Sequence, residues 1–407
     1  MTVLSSGRRV LATGLAMVTA LAVASPAPAV AGVTGQIRAS GSATAVADSY
    51  IVVLRDPAVG ATAGTRRAID AVPDLAAGLA RRYGGSVTRV YGAALNGFAV
   101  RLTEPAARRL AGHPDVAYLE QDQTVTSDAV QRPTPSWGID RIDQRALPLN
   151  QTYNFDYVAS GVRAYVIDSG LYLSHSDFYN GRATSGYDAI DGGQADDCNG
   201  HGTHVGGTVG GRQYGVAKDV KLVAVRVIAC VRPSTVSEVI AGVNWVAANA
   251  VKPAVAIFAH HTSASTVLDQ AVGTAVTSGV TFVVSAGNDT ANACGYSPAR
   301  VPTAITVGAT SQTDQRAAWS NTGACLDLFA PGVAITSAWY TSSMASSSAS
   351  GTSMAAAHVA GAAVLILAAN PTFTPAQVRD ALVAQATVGI VPNPGTGSPN
   401  RLLYVGP

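Results

Sequence analysis

The chain has 407 residues, of which 27 are Lys or Arg and 25 are Asp or Glu, so its formal net charge is +2. Such a balanced charge argues against a nucleic-acid partner, which needs a dense basic surface. Hydrophobic residues make up 48% of the chain and charged residues 13%, a composition that excludes a largely disordered protein. The length predicts two domains, or one large domain with an appendage.

The first 31 residues have the pattern of a secretory signal peptide. Arg8 and Arg9 precede an apolar run over 10–24, and Ala29-Val30-Ala31 fits a small-residue cleavage site. The run is shorter than the roughly 20 residues that a membrane span needs. No later run is expected to span, so we predict a secreted chain with no membrane partner in its mature form.

Four cysteines follow the signal peptide: Cys198, Cys230, Cys294 and Cys325. An even number in an exported chain favours two disulfides, and four cysteines allow three pairings. A zinc site is the alternative, but it is disfavoured because no C-x-x-C pair occurs.

Two regions of different character are predicted after the signal. Residues 32–47 are small and polar and are interpreted as a linker, whereas 48–125 carry a βαββαβ pattern typical of a small α+β ferredoxin-like domain. Residues 126–136, rich in Ser, Thr and Pro, are predicted to be an exposed boundary where the chain is cut.

Residues 137–407 alternate between continuous apolar runs and helical stretches. VRAYVID, KLVAVRVI, AVAIFA, VTFVVSAG and AITVGAT are the runs expected to be strands. Strands that are apolar throughout and separated by helices predict a doubly wound, mostly parallel sheet with helices on both faces. A long helix is predicted over 352–369 and a shorter one from Pro375.

Three segments carry candidate chemistry at strand ends or helix starts. Asp168 ends an apolar run in YVIDSG, His201 and His204 lie in NGHGTHVGG, and Ser353 lies in SGTSMAAAHVAG. Each segment alone has a structural explanation. Asp168 could cap a turn, the two histidines could bind a metal or pack in the core, and Ser353 could be a helix N-cap. Together they supply the acid, base and nucleophile of a serine hydrolase, and Asn288 in SAGND could donate to an oxyanion.

These four motifs resemble those of subtilisin-like serine proteases, and WGIDRIDQRALPLN, IAGVNWV and GTGSPNRLLY are similar to the proteinase K-like branch. The resemblance implies that Asp168 orients, His201 is the base, Ser353 the nucleophile and Asn288 the oxyanion donor, with His204 structural. The βαββαβ unit resembles the family's N-terminal inhibitor propeptide.

The resemblance has further implications. It implies the sequential disulfides Cys198–Cys230 and Cys294–Cys325, and no cofactor for catalysis. It also implies a structural Ca²⁺ held by the carboxylate of Asp314 and the carbonyls of Pro298 and Arg300; the alternative is an exposed turn aspartate. Polypeptide substrates and the chain's own propeptide are the expected partners of a monomeric enzyme.

The chain departs from the family in its two predicted substrate-binding strands. Where relatives carry Ser-Leu-Gly-Gly, this chain has Ala259-His260-His261-Thr262, and where they carry Gly-Ser-Gly it has Arg232-Pro233-Ser234. Side chains in place of glycines should narrow the specificity pocket. Pro233 cannot donate to an added substrate strand.

Two further points concern the histidine pair and a missing proline. His260 and His261 are adjacent on a predicted strand and therefore point to opposite faces, which disfavours a metal site made by that pair. Ala357 stands where the family usually has Pro, so Ser353 is expected to shift slightly.

The leading hypothesis is a secreted serine endopeptidase made as a zymogen and cut near 126–131. The alternative is a protease-fold protein with impaired activity that acts by binding, because both substrate strands are altered. An acyl-transferase is a third hypothesis, favoured only by Ala357.

Overall fold

The computed structural model describes residues 35–42, 45–60, 66–124, 129–155 and 159–406, so the predicted signal peptide lies outside the described residues. The chain divides into two compact units, Met1–Val125 and Thr126–Pro407. This division falls at the predicted boundary between the small domain and the large one. The exact maturation site stays a prediction, because 125–128 are not described.

The first unit is a five-stranded sheet with helices against it. Its strands are β1 (Ile37–Arg38), β2 (Ala45–Leu54), β3 (Ser86–Tyr91), β4 (Gly97–Arg101) and β5 (Val116–Gln123), in the order β1-β5-β2-β4-β3. Its helices are α1 (Asp56–Val59), α2 (Arg66–Tyr83) and α3 (Glu104–Ala111).

The βαββαβ order of the first unit is as predicted, but the 32–47 linker is not a plain linker. Ile37 and Arg38 pair in parallel with Leu119 and Glu120 of β5, and Ile37 is buried. The sequence around Ile37 shows no alternation of apolar and polar residues, so it did not predict a strand. The extra strand is recognised only by its pairing with β5.

The second unit contains the remaining elements. Its strands are β6 (Ala129–Gln131), β7 (Tyr153–Phe155), β8 (Arg163–Asp168), β9 (Ala183–Asp188), β10 (Lys221–Arg226), β11 (Ala254–Phe258), β12 (Thr262–Ser263), β13 (Thr281–Ser285), β14 (Tyr296–Ser297), β15 (Ile305–Thr310), β16 (Leu328–Pro331), β17 (Ile335–Ala338), β18 (Ser346–Ala349), β19 (Thr387–Val388) and β20 (Arg401–Leu402). Its helices are α4 (Trp137–Ile142), α5 (His201–Gly210), α6 (Val236–Asn249), α7 (Thr266–Thr277), α8 (Thr352–Ala369) and α9 (Pro375–Gln385).

Nine of these strands form one sheet in the order β19-β20-β16-β15-β13-β11-β8-β10-β9, parallel except at β19. The chain runs outward from β8 to β9, returns through β10, and crosses β8 to continue at β11. The strand order therefore reverses beside β8, the position where open α/β sheets place their sites. The predicted mostly parallel sheet is confirmed.

Helices cover both faces of this sheet, each over its own apolar cluster. On one face α5 and α8 contribute Val205, Val209 and Val359, and on the other α6 and α7 contribute Val243 and Val272. This arrangement explains why the strands are apolar throughout: both of their faces are buried.

One sequence expectation needs correction here, and a second gains detail. Helix α8 is long and apolar enough to cross a membrane, contrary to the expectation for later runs, but 83% of it is buried inside the fold, as in a core helix. The predicted boundary 126–136 is partly ordered, because β6 pairs antiparallel with β7.

Candidate active site

The candidate catalytic side chains meet at one edge of the large sheet. Asp168 is the last residue of β8, and Asn288 follows the end of β13 by three residues. His201 is the first residue of α5 and Ser353 the second of α8. Carboxyl ends of parallel strands and amino ends of the following helices lie on the same side of such a sheet, so distant motifs converge.

Asp168 and His201 form a close pair. His201 Nδ1 lies 2.8 Å from Asp168 Oδ1 and 3.0 Å from Oδ2. Burial alone would raise the pKa of Asp168, but His201 and His260 hold the pKa of this fully buried carboxyl far below its usual range. For His201, burial lowers the pKa, yet the Asp168 carboxylate outweighs it and leaves the pKa above 6.5. Asp168 therefore stays ionised and fixes His201 with its proton on Nδ1.

Asp197 organises the turn that presents His201, a role that sequence reasoning missed. Its Oδ1 accepts from the backbone N–H groups of Asn199 and Gly200, both at 2.9 Å, and from Ser169 Oγ. Its Oδ2 accepts from the N–H of Thr203 at 2.8 Å. An Asp-x-Asn-Gly pattern just before a helix is the signal that could have indicated such a cap.

His260 is an unpredicted neighbour of Asp168. Its Nε2 lies 3.1 Å from Asp168 Oδ1, and its ring centroid is 4.5 Å from that of His201. Sequence reasoning placed His260 in a pocket wall. It faces Asp168 because β11 pairs directly with β8, with Phe258 opposite Ile167.

Ser353 is buried near the start of α8, and its Oγ donates to the carbonyl of Ala259 at 2.6 Å. Ser353 and His201, both in the described part of the chain, form no hydrogen bond with each other. Ala357 is fully buried inside α8, which continues unbroken through it.

Asn288 is oriented by Thr352. The backbone N–H of Thr352 donates to Asn288 Oδ1 at 2.9 Å, and Thr352 Oγ1 lies at the same distance. A backbone N–H can only donate, so the amide oxygen must be the atom facing Thr352. The Nδ2 group is left on the exposed side, where it can donate to a developing oxyanion.

The two altered substrate strands line one cavity of about 270 Å³, together with α6 and α7 residues. The predicted residues that line it are Arg232, Pro233, Ser234, His260, His261 and Thr262. Ala259 is buried beside them and accepts the Ser353 hydroxyl.

His261 lies in the segment between β11 and β12 and contacts a different acidic residue from His260. Its Nε2 lies 2.8 Å from Asp289 Oδ2, and its ring meets Tyr296 edge-on at 5.3 Å. The His261–Asp289 pair thus bridges the segments that follow β11 and β13.

The other histidines of the catalytic motifs are structural in their contacts. His204 Nε2 lies 2.9 Å from the carbonyl of Ile335, and His358 Nδ1 lies 2.8 Å from that of Met354. Burial lowers the pKa of each to about 4, so both are neutral near pH 7.

The structure contains both sequential disulfides. Cys198 and Cys230 are joined with their Cα atoms 5.9 Å apart, and Cys294 and Cys325 with theirs 5.4 Å apart. The first links the turn before His201 to the loop that carries Arg232. Zinc ligation by these cysteines is therefore excluded.

The carboxylate of Asp314, a predicted Ca²⁺ ligand, is paired with an arginine in the structure, and the calcium site stays a prediction. Arg141 Nε and Nη2 bind Asp314 Oδ1 and Oδ2 at 2.7 and 3.1 Å, and the Arg141 side chain is only 1% exposed. The Pro298 carbonyl accepts from the N–H of Val301 at 2.9 Å. Both oxygens of Asp314 accept from a buried cation, so Ca²⁺ would have to compete with Arg141 for this carboxylate. Sequence spacing did not reveal Arg141, 173 positions away.

We predict that Asp314→Ala lowers the free energy of unfolding by about 3–5 kcal/mol, because it leaves the buried Arg141 charge unpaired. Denaturant unfolding in Ca²⁺ and in EDTA measures this. The loss should be the same in both, and exposed Asp380→Ala, the control, should change stability by less than about 0.5 kcal/mol. If EDTA abolished the difference between wild type and variant, Asp314 would be a calcium ligand after all.

Comparison with known proteins agrees with this geometry. Residues 159–403 match the Subtilase family and residues 49–128 match Peptidase inhibitor I9. An extracellular serine proteinase from a Thermus species is 57% identical over 79% of this chain and 78% of its own length. Alkaline serine exoprotease A of Vibrio alginolyticus is 45% identical over 88% of this chain and 68% of its own.

A crystal structure of a cold-adapted subtilisin-like serine proteinase has 51% sequence identity and a TM-score of 0.64, covering 66% of this chain and 97% of that one. The subtilase match alone spans more than half of the chain. The resemblance inferred from the four motifs is thus confirmed: the chain belongs to the subtilase family of serine proteinases, with an I9 inhibitor domain preceding the peptidase domain.

Proposed function

We propose that this chain is a secreted endopeptidase, made as a zymogen, in which Ser353, His201 and Asp168 cleave peptide bonds through an acyl-enzyme. The observation that carries the proposal is the Asp168–His201 pair, with Nδ1 held on a buried carboxylate and Nε2 left as the base. Extracellular action accords with the relatives, which include an extracellular serine proteinase.

The first chemical step is acylation. Ser353 Oγ leaves the Ala259 carbonyl, gives its proton to His201 Nε2 and attacks the scissile carbonyl carbon. The negative charge that develops on the carbonyl oxygen is stabilised by Asn288 Nδ2. The departing amine then takes the proton from His201, and Ser353 is left as an ester.

Deacylation repeats these roles with water. His201 removes a proton from a water molecule, whose oxygen attacks the ester, and returns the proton to Ser353 Oγ. No metal or cofactor takes part in this family's chemistry. A structural Ca²⁺ at Asp314, Pro298 and Arg300 stays a prediction, in which the ion competes with Arg141 for the carboxylate.

The I9 domain supplies the chain's own inhibitor, and polypeptides are the substrates. We further propose that the cut between the domains falls near 126–131 and that the mature domain is a monomer. No comparison supports the alternative of an inactive binding protein, nor the acyl-transferase.

A fluorophosphonate probe tests the nucleophile directly. We expect it to label wild type and the control Ser348→Ala, whose serine lies on exposed β18, but not Ser353→Ala. Labelling is read by mass spectrometry of the intact protein and of its peptides. Absence of label on folded, processed wild type would contradict the proposal, as would label retained in Ser353→Ala.

Removing the proposed oxyanion donor should act on the transition state alone. We predict that Asn288→Ala lowers kcat by about 100- to 1,000-fold with little change in KM, the range found for such a donor in a subtilisin. Steady-state kinetics on a peptide substrate measure both constants. A rise in KM with kcat unchanged would instead place Asn288 in ground-state binding.

The loss of activity at low pH should reflect the protonation of His201. Only neutral His201 can act as base, and its pKa is raised above 6.5 by Asp168, with His260 and Asp197 the other charged or titratable groups nearby. We predict that kcat/KM falls as the pH drops, with a midpoint above 6.5. A midpoint at or below that value would show that Asp168 does not stabilise the imidazolium.

Selectivity is proposed to come from the cavity formed by the altered strands. The His261 ring and its pairing with Asp289 occupy space between the segments after β11 and β13, so small side chains before the scissile bond should be preferred. A side chain that fills part of a pocket discriminates against substrates with larger side chains. The near-neutral charge of the chain indicates no preference for charged substrates.

We predict that His261→Gly raises kcat/KM for cleavage after Phe relative to Ala by about tenfold or more. Cleavage of a mixed peptide library by wild type and variant measures this ratio. Asp289→Asn is the matched control, because it removes the charge but keeps the ring in place and should give a smaller change. Strong cleavage after Phe or Tyr by wild type would contradict the prediction.

A further inference from the structure

The Asp168 carboxylate faces two imidazoles rather than one. Ligand atoms of Asp168, His201 and His260 lie within 4.8 Å of one another. The two distances from Asp168 Oδ1 are 2.8 Å to His201 Nδ1 and 3.1 Å to His260 Nε2. A tetrahedral zinc ion with bonds of about 2.0–2.2 Å separates its ligand atoms by about 3.3–3.6 Å, so the three side chains need to move apart by only a few tenths of an ångström to bind it.

His260 brings a second imidazole nitrogen to this cluster. Its Nε2 is buried and makes no well-aligned hydrogen bond, despite its approach to Asp168. A buried polar atom whose contact is poorly aligned for a hydrogen bond is costly, and in a native fold it needs an explanation. The side chains of His201 and His260 are 25% and 29% exposed, so an ion can enter from solvent.

We propose that Asp168, His201 and His260 form a binding site for a divalent transition-metal ion, Zn²⁺ in the first instance, that reversibly silences the enzyme. Two imidazoles and one carboxylate suit zinc and its neighbours, whereas Ca²⁺ takes oxygen ligands. A solvent molecule completes the coordination. The site differs from the adjacent His260–His261 pair, whose side chains diverge to Asp168 and Asp289.

The inhibition follows from the tautomer of His201, and in this respect the inference rests on the proposed function. Nδ1 can bind a metal only through its lone pair, so its proton must move to Nε2. The metal therefore replaces the Asp168 hydrogen bond and leaves Nε2 protonated. In that state His201 cannot accept the proton of Ser353. The Nδ1–H bond is broken and an Nε2–H bond is formed, no other covalent bond changes, and removal of the metal restores the original tautomer.

Binding is tested without reference to activity. Equilibrium dialysis of purified wild type against Zn²⁺, with excess Ca²⁺ present to fill oxygen sites, should give one tightly bound zinc ion. His260→Leu, which introduces the residue of the relatives, should bind at least about tenfold more weakly, since even indirect ligand contacts contribute that much. His261→Gly is the matched control and should bind like wild type. His260→Asn serves as the second variant if His260→Leu does not fold.

Activity is then measured at the same zinc concentrations, each variant relative to its own zinc-free rate. At a zinc concentration ten times the dissociation constant of wild type, the wild-type rate should fall about 11-fold and recover when a chelator is added. The rate of His260→Leu should change little at the same concentration. No zinc on wild type, equal binding by His260→Leu, or equal inhibition of that variant would each overturn the proposal. If zinc binds as expected but the protein never cleaves peptides, the proposed function fails while the metal site stands.

Discussion

The ionised carboxylate of Asp168, buried at the end of a central strand, is the constraint on which the site depends. A charge with no exposed surface is tolerated only when it is hydrogen-bonded and paired. Asp168 meets this need with the N–H of Ser169 at 2.8 Å and with His201 Nδ1. The same pairing fixes the tautomer of His201, so satisfying a buried charge and preparing a base are one requirement.

The surrounding fold keeps that pair in place. Asp197 caps the turn before α5, and the Cys198–Cys230 disulfide ties the turn to the loop of the substrate strand. Helix α8 brings Ser353 to the same edge. Thr352, the residue before Ser353, orients Asn288 by a hydrogen bond. The parts are distant in sequence because each belongs to a different strand or helix end of one parallel sheet.

Much of this was predictable from sequence, for physical reasons. Strands buried on both faces are apolar throughout, so the main sheet and α8 could be found, and four motifs gave the candidate catalytic residues. Pairwise contacts across the sheet could not be found this way. The approach of His260 to Asp168 depends on β11 pairing with β8, and Asp314 meets Arg141 only after folding.

The altered cleft and the catalytic pair are physically linked. The segment after β11 supplies the Ala259 carbonyl that holds Ser353, the His260 ring beside Asp168 and the His261 ring that meets Asp289. Changes in this segment therefore affect both the resting position of the nucleophile and the space for substrate. The catalytic groups themselves are all retained.

The most direct measurement of the central claim is the rate at which freshly folded precursor cuts itself, compared between wild type and Asp168→Asn. An amide is nearly the same size as the carboxylate but stabilises the wrong tautomer of His201. The account predicts self-processing slowed by about 10⁴-fold, with unchanged circular dichroism. Processing within about tenfold of wild type would contradict it, because the buried charge of Asp168 would then not be needed for catalysis.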